Sequence, residues 1–110
     1  MARSQPSSAV SGFALAGVSN LPDPATHAYR NDLADVALAG QVITSHYAEP
    51  LMRRLVAAAP LLVEPAIDAE PLAQLDAGDQ LRMLDNSRGW AWGYAPDGRV
   101  GYVSAEAVGV

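Results

Sequence analysis

The sequence predicts an all-β domain, a small barrel preceded by an N-terminal arm that carries one short helix. From Leu51 onward, short apolar runs with β-branched or aromatic residues recur at regular spacing, separated by Asp, Asn, Gly and Pro turn chemistry. Pro96-Asp97-Gly98 is the cleanest hairpin signal, because Asp-Gly supplies the positive φ angles that tight turns demand. The chain has 110 residues and no cysteine, so the fold rests on one modest core without disulfides. Folding at this length hides roughly 65% of the unfolded chain's surface. Of the apolar residues, 21 are alanine, which leaves a core led by 12 Leu and 10 Val with only 7 aromatics.

Residues 1–22 are rich in Ser, Ala and Gly without sustained period, and read as a flexible leader with Phe13 and Leu15 as its only anchors. A cleaved secretory signal fits less well, since Ser11, Gly12 and Gly17 break the stretch from Ala9 to Val18. Residues 23–110 form the domain. It opens extended at Asp23-Pro24. Leu33, Val36 and Ala37 then recur at helical spacing, with Asp32 as N-cap and Gly40 closing a helix of two turns. Val42, Ile43 and Thr44 mark a strand over 41–47, where the barrel begins. Met52 to Val63 is apolar material interrupted at Pro60, with an alanine-favoured helix over 51–59 as the competing reading.

Glu64 to Pro71 has the composition of an irregular exposed loop. Strands follow over 72–75 and 80–84, with turns at 76–79 and 85–89. The strand 90–95 pairs across Pro96-Asp97-Gly98 with 99–103, and Ser104 caps a final helical turn ending at Val108.

Composition excludes several function classes. Twelve acidic residues against seven arginines give a net charge of −5, which argues against nucleic-acid and anionic-membrane partners. No run of 18 apolar residues exists to form a membrane-spanning helix. His27 and His46 are the only imidazoles and sit in no multi-ligand motif, so no metal or other cofactor is expected, and His27 reads as a hydrogen-bonded structural residue beside Tyr29. No serine has a nucleophile context. Asp32 and Asp35 fit an N-cap and N3 pair better than a general acid and base. Arg53 and Arg54, adjacent on a strand, point to opposite faces and make no basic patch.

The candidate binding residues are Trp90, Trp92, Tyr94 and Tyr102, with Glu64 and Asp68 in the acidic loop. Trp90, Trp92 and Tyr94 alternate with Ala91 and Gly93, so the rings share one face of a strand, and Tyr102 and Val100 can lie beside them. Two readings compete. Either the rings are the core, or the small residues face a tight interior while the rings form a platform for a peptide or partner domain. Glu64, Asp68 and Glu70 read as a solvated face, or as recognition of a free amino group.

An apolar strand running into Pro60-Leu61-Leu62-Val63-Glu64-Pro65 is followed by the Gly-centred turn Leu75-Asp76-Ala77-Gly78-Asp79. An alternating strand, the pair Gly89-Trp90, a tight turn and the step Gly101-Tyr102-Val103 come next. In this order and spacing, residues 59–108 resemble a bacterial SH3 (SH3b) domain, which implies an SH3-like barrel. The preceding Asp23-Pro24-Ala25-Thr26-His27-Ala28-Tyr29-Arg30-Asn31-Asp32-Leu33-Ala34-Asp35, with Leu38, Gly40 and Val42 behind it, is similar to the lead-in of the SH3 domain at the front of NlpC/P60-type cell-wall peptidases. Those enzymes cleave peptidoglycan peptides between γ-D-glutamate and a diamino acid, with a Cys nucleophile and His base in a domain that follows the SH3 module. No position here can hold that nucleophile. The resemblance therefore implies a non-catalytic accessory domain that docks on an NlpC/P60-type catalytic domain, in cis or in trans, and limits access to short peptides. A stand-alone module binding peptidoglycan stem peptides or a protein partner is the alternative. The expected compartment is the cytoplasm, with the periplasm or cell envelope as the alternative.

Overall fold

The computed structural model describes residues 21–109; the leader, apart from Leu21 and Pro22, lies outside the described residues. Eight short strands and one helical turn follow in chain order: β1 (Ala34–Asp35), β2 (Tyr47–Ala48), β3 (Leu51–Arg54), β4 (Ala59–Leu62), β5 (Pro71–Leu75), β6 (Gln80–Ser87), β7 (Trp90–Tyr94), β8 (Val100–Ser104) and α1 (Ala105–Val108). The last six strands make one sheet in the order β3-β6-β7-β8-β4-β5, with every neighbouring pair antiparallel. The all-β reading holds. The ladder leaves β3 and β5 as edges. Leu55, just past β3, exchanges backbone bonds with Gly78 and Asp79 of the β5–β6 turn.

Strict alternation on β7 and β8 sorts side chains between two faces. Ala91, Ala95 and Val103 point inward to a cluster with Leu55, Leu61, Leu75, Leu81, Ala107 and Val108. A sheet that surrounds its own core on one face must curl tightly, and this one does so by removing side chains where strands crowd. Gly93 and Gly101 sit directly opposite each other on β7 and β8. A Cβ on Gly93 would lie 2.1 Å from the carbonyl oxygen of Arg82, and one on Gly101 would lie 2.7 Å from Leu61 Cγ. The neighbouring strands bend at the same places, with register shifts between Met83 and Asp85 on β6 and between Leu61 and Leu62 on β4. Pro60 is tolerated because β8 pairs with β4 only at Leu62, so its missing N–H falls where that side of the ladder is open.

Several expected elements take other forms. The predicted helix after Asp32 is replaced by β1 and a 3-10 turn over Val36–Leu38, whose N-cap is Asp35, its Oδ1 accepting from the Ala37 N–H at 3.0 Å. Two turns of helix are marginal, whereas Ala34 N–H gains the His46 carbonyl at 3.0 Å and the Asp35 carboxylate gains a buried partner. The strand expected over 41–47 shrinks to β2 and an isolated bridge at Val42, because only Val42 is buried while Ile43 faces solvent. The competing helix over 51–59 does not form; β3, a bend and β4 occupy that stretch. β6 runs on to Ser87, so the turn expected over 85–89 tightens to Arg88-Gly89. Ser104 precedes α1 but makes no side-chain cap; the turn ends on Gly109 at φ 77°.

Candidate functional site

The outer face of β7 and β8 carries Trp92, Tyr94, Val100 and Tyr102, and the arm lies over it. Trp92 is 3% exposed and Tyr94 6%, buried in a second cluster with Ala28 and flanked by Leu33 and Leu84. Both competing readings of the aromatic strand are thus partly met. The small residues do face the tight interior and the rings do share the outer face, but the chain's own arm covers two of the three.

Polar contacts fix the arm with a geometry that apolar packing alone would not specify. Tyr94 Oη donates to Asp35 Oδ2 at 2.7 Å and accepts from the Ala28 N–H at 3.0 Å. Burial pushes the Tyr94 phenol above its usual range; the Ala28 N–H pulls against that, and Asp35 adds to it. The Val100 N–H donates to the Ala25 carbonyl at 2.8 Å, so the arm also pairs with β8. The Arg30 guanidinium lies 4.3 Å from the centre of the Trp92 ring. It donates to both Asp32 carboxylate oxygens at 2.9 Å, to Asp85 Oδ2 at 3.0 Å and to Tyr102 Oη at 3.4 Å. Burial works against its charge, but these acceptors outweigh it and hold the Arg30 pKa above the ordinary value. The same hydrogen bond holds Asp32 below the usual carboxylate range. Trp92 in turn stacks on Tyr102, centroids 6.3 Å apart.

Beyond the arm's edge the surface opens into two clefts that share Trp90. One, of about 590 Å³, is lined by Arg30, Asp32 and Asp85 on one side and by Ser87, Arg88, Trp90, Tyr102 and Pro65 on the other. The second, about 580 Å³, is more apolar and runs between Pro60, Leu62, Ile67, Trp90 and Ala105. Trp90 is half-buried, Ile67 is 92% exposed, and both lie where a partner could reach them.

Of the six candidate residues, the structure brings Trp90 and Tyr102 to the first cleft, and places Trp92 and Tyr94 beneath the arm. Glu64 and Asp68 are exposed in the 63–70 loop and line neither cleft; Pro65 and Ile67 of that loop do. Sequence reasoning missed Arg30, Asp35 and Asp85, whose partners are 55 to 72 residues away along the chain. His27 Nδ1 lies 3.0 Å from both Asp23 O and Thr26 Oγ1, a local structural role. Among the described residues no group of three His, Cys, Asp or Glu could hold a metal ion, and no helix is long and apolar enough to cross a membrane.

Residues 61–108 match a family model described as the bacterial dipeptidyl-peptidase Sh3 domain. Comparisons with curated proteins and with solved structures returned no significant match. The matched stretch begins inside β4, ends with α1, and contains the crowded glycines, the alternating aromatic strand and Trp90; this segment is a bacterial SH3 domain.

Proposed function

We propose that this chain is a non-catalytic accessory domain that docks on the catalytic domain of an NlpC/P60-type peptidase and narrows its cleft to short peptidoglycan peptides. The observation that carries this reading is the match to an SH3 domain of dipeptidyl-peptidases in a sequence without a cysteine, the nucleophile of the NlpC/P60-type peptidases whose SH3 lead-in it resembles. The surface agrees with that role. Trp90, Ile67 and the two clefts form a ridge of aromatic and apolar material rimmed by charge, the composition of a docking surface. Its contribution to hydrolysis is steric. A wall at one end of a substrate cleft admits a short peptide and rejects a longer one without taking part in bond cleavage.

The test mixes the purified chain with a separately expressed NlpC/P60-type catalytic domain. Association is expected, together with retained cleavage of a γ-D-glutamyl tripeptide and reduced cleavage of longer, glycan-linked peptides. Hydrolysis of the tripeptide by this chain alone, or unchanged selectivity in a mixture that associates, overturns the proposal.

A further inference from the structure

The hairpin between β6 and β7 carries an unusual residue at an unusual place. Its two-residue turn, closed by the Ser87–Trp90 pair, has positive φ at both central positions, 55° at Arg88 and 84° at Gly89. Such turns favour Asn-Gly or Gly-Gly, which adopt that backbone without steric penalty. Arg88 is the only non-glycine residue with positive φ among the described residues. A side chain held in a disfavoured backbone region points to a use for that side chain.

Its surroundings indicate what the use is. Arg88 is exposed and lines the first cleft beside Trp90 and Tyr102. Asp32 and Asp85 face the same cleft, but Arg30 already donates to both, and Ser87 Oγ donates to Asp85 Oδ2 at 3.0 Å. Arg30 is occupied in turn by these acceptors and the Trp92 ring. Arg54, Arg82 and Arg99 each have a carbonyl, ring or carboxylate partner. Arg88 makes no hydrogen bond or ion pair among the described residues. It offers a free guanidinium, which matches a carboxylate in a planar, two-point contact. Trp90 also lines the apolar cleft of Leu62 and Ile67.

We infer that the Arg88–Trp90 hairpin binds an extended peptide segment carrying a carboxylate side chain and, two residues later, an apolar one. The carboxylate pairs with Arg88 and the apolar side chain enters the second cleft. Side chains two apart on an extended strand lie on one face about 7 Å from each other, which suits two subsites separated by an indole. This goes beyond the docking proposal and does not require it, since the chain alone is the binding partner. A peptidase domain that never associates leaves this site intact, and a failed peptide leaves the docking proposal standing.

The experiment is an NMR titration of the intact chain at physiological ionic strength, where the net charge of −5 is screened beyond about 8 Å. The probes are acetyl-Glu-Ala-Leu-amide and its Gln counterpart. Expected are shifts centred on Arg88, Gly89 and Trp90, with the Glu peptide bound at least five-fold more tightly. Arg88→Gly relieves the backbone, so it is expected to raise Tm while abolishing the preference for Glu over Gln. Equal affinity for the two peptides, shifts centred elsewhere, no response at millimolar peptide, or an Arg88→Gly variant that keeps the preference would each overturn the inference.

Discussion

On its inner face the sheet buries Leu61, Leu81 and Val103 among alanines and leucines, with no polar side chain in the cluster; on its outer face it buries Trp92 and Tyr94 under a strap tied by hydrogen bonds. The inner face is set by volume. Any hydrophobic residue of the right size satisfies it, and the limit is how closely β4, β6, β7 and β8 can approach. The outer face is set by direction, because Tyr94, Asp35 and Arg30 each need a particular partner. The inner surface therefore supports the domain, whereas the outer one decides which part of the aromatic strand the outside world can reach.

The sharpest way to break the inner face is Gly93→Ala. The added methyl meets backbone atoms of Arg82 and Met83 that cannot move without opening the β6–β7 ladder. A loss of about 3 kcal/mol or more is expected, read as a Tm drop of at least about 12 °C in thermal unfolding. Tyr94→Phe breaks the outer face more gently. It leaves Asp35 Oδ2 and the Ala28 N–H without their shared partner, at a cost of about 1–3 kcal/mol. Hydrogen exchange distinguishes this loss from a core defect, since protection is expected to fall in residues 23–48 first and to persist in β7 and β8.

Smaller effects are expected at Arg53 and Asp32. The Nε of Arg53 on β3 is buried without a hydrogen-bond partner. Arg53→Met removes that group and is expected to leave stability unchanged or raise it by up to about 1 kcal/mol, measured by denaturant midpoint. Acid acts on the strap. Asp32, held below the usual carboxylate range by Arg30, contributes its full share above its unfolded pKa and loses it as pH falls through its lowered folded value. Asp32 is largely exposed, so the strap is expected to loosen only slightly, seen as a small rise in amide exchange around Arg30 below the carboxylate range.

How much was readable from residues alone differs between the two faces. Alternation at Trp90-Ala91-Trp92-Gly93-Tyr94 places rings and small residues on opposite sides, and the turns at Gly78 and Asp97-Gly98 stand where expected, although only Gly98, and not Asp97, takes the positive φ expected of the Asp-Gly pair. These are local signals, decided by sterics within a few residues. The strap is not local. Asp35 reads as a residue in a helix's first turn because nothing nearby reveals that Tyr94, 59 positions on, will donate to it. For the same reason position along the strand misorders the rings: nearness to the turn suggests that Trp92 and Tyr94 are the more open and Trp90 the more buried, whereas the arm covers Trp92 and Tyr94 and ends before Trp90, which stays half-open. The one signal that would have found Arg30 is an isolated cation in an arm followed two residues later by an acid.

The arm takes Trp92 out of reach and leaves Trp90 as the accessible indole. A soluble gadolinium chelate added to the intact chain tests it directly through the relaxation of the two sets of indole protons. Strong enhancement is expected at Trp90 and almost none at Trp92, whose exposure is 3%. Equal enhancement at both rings, or a more accessible Trp92, would contradict it.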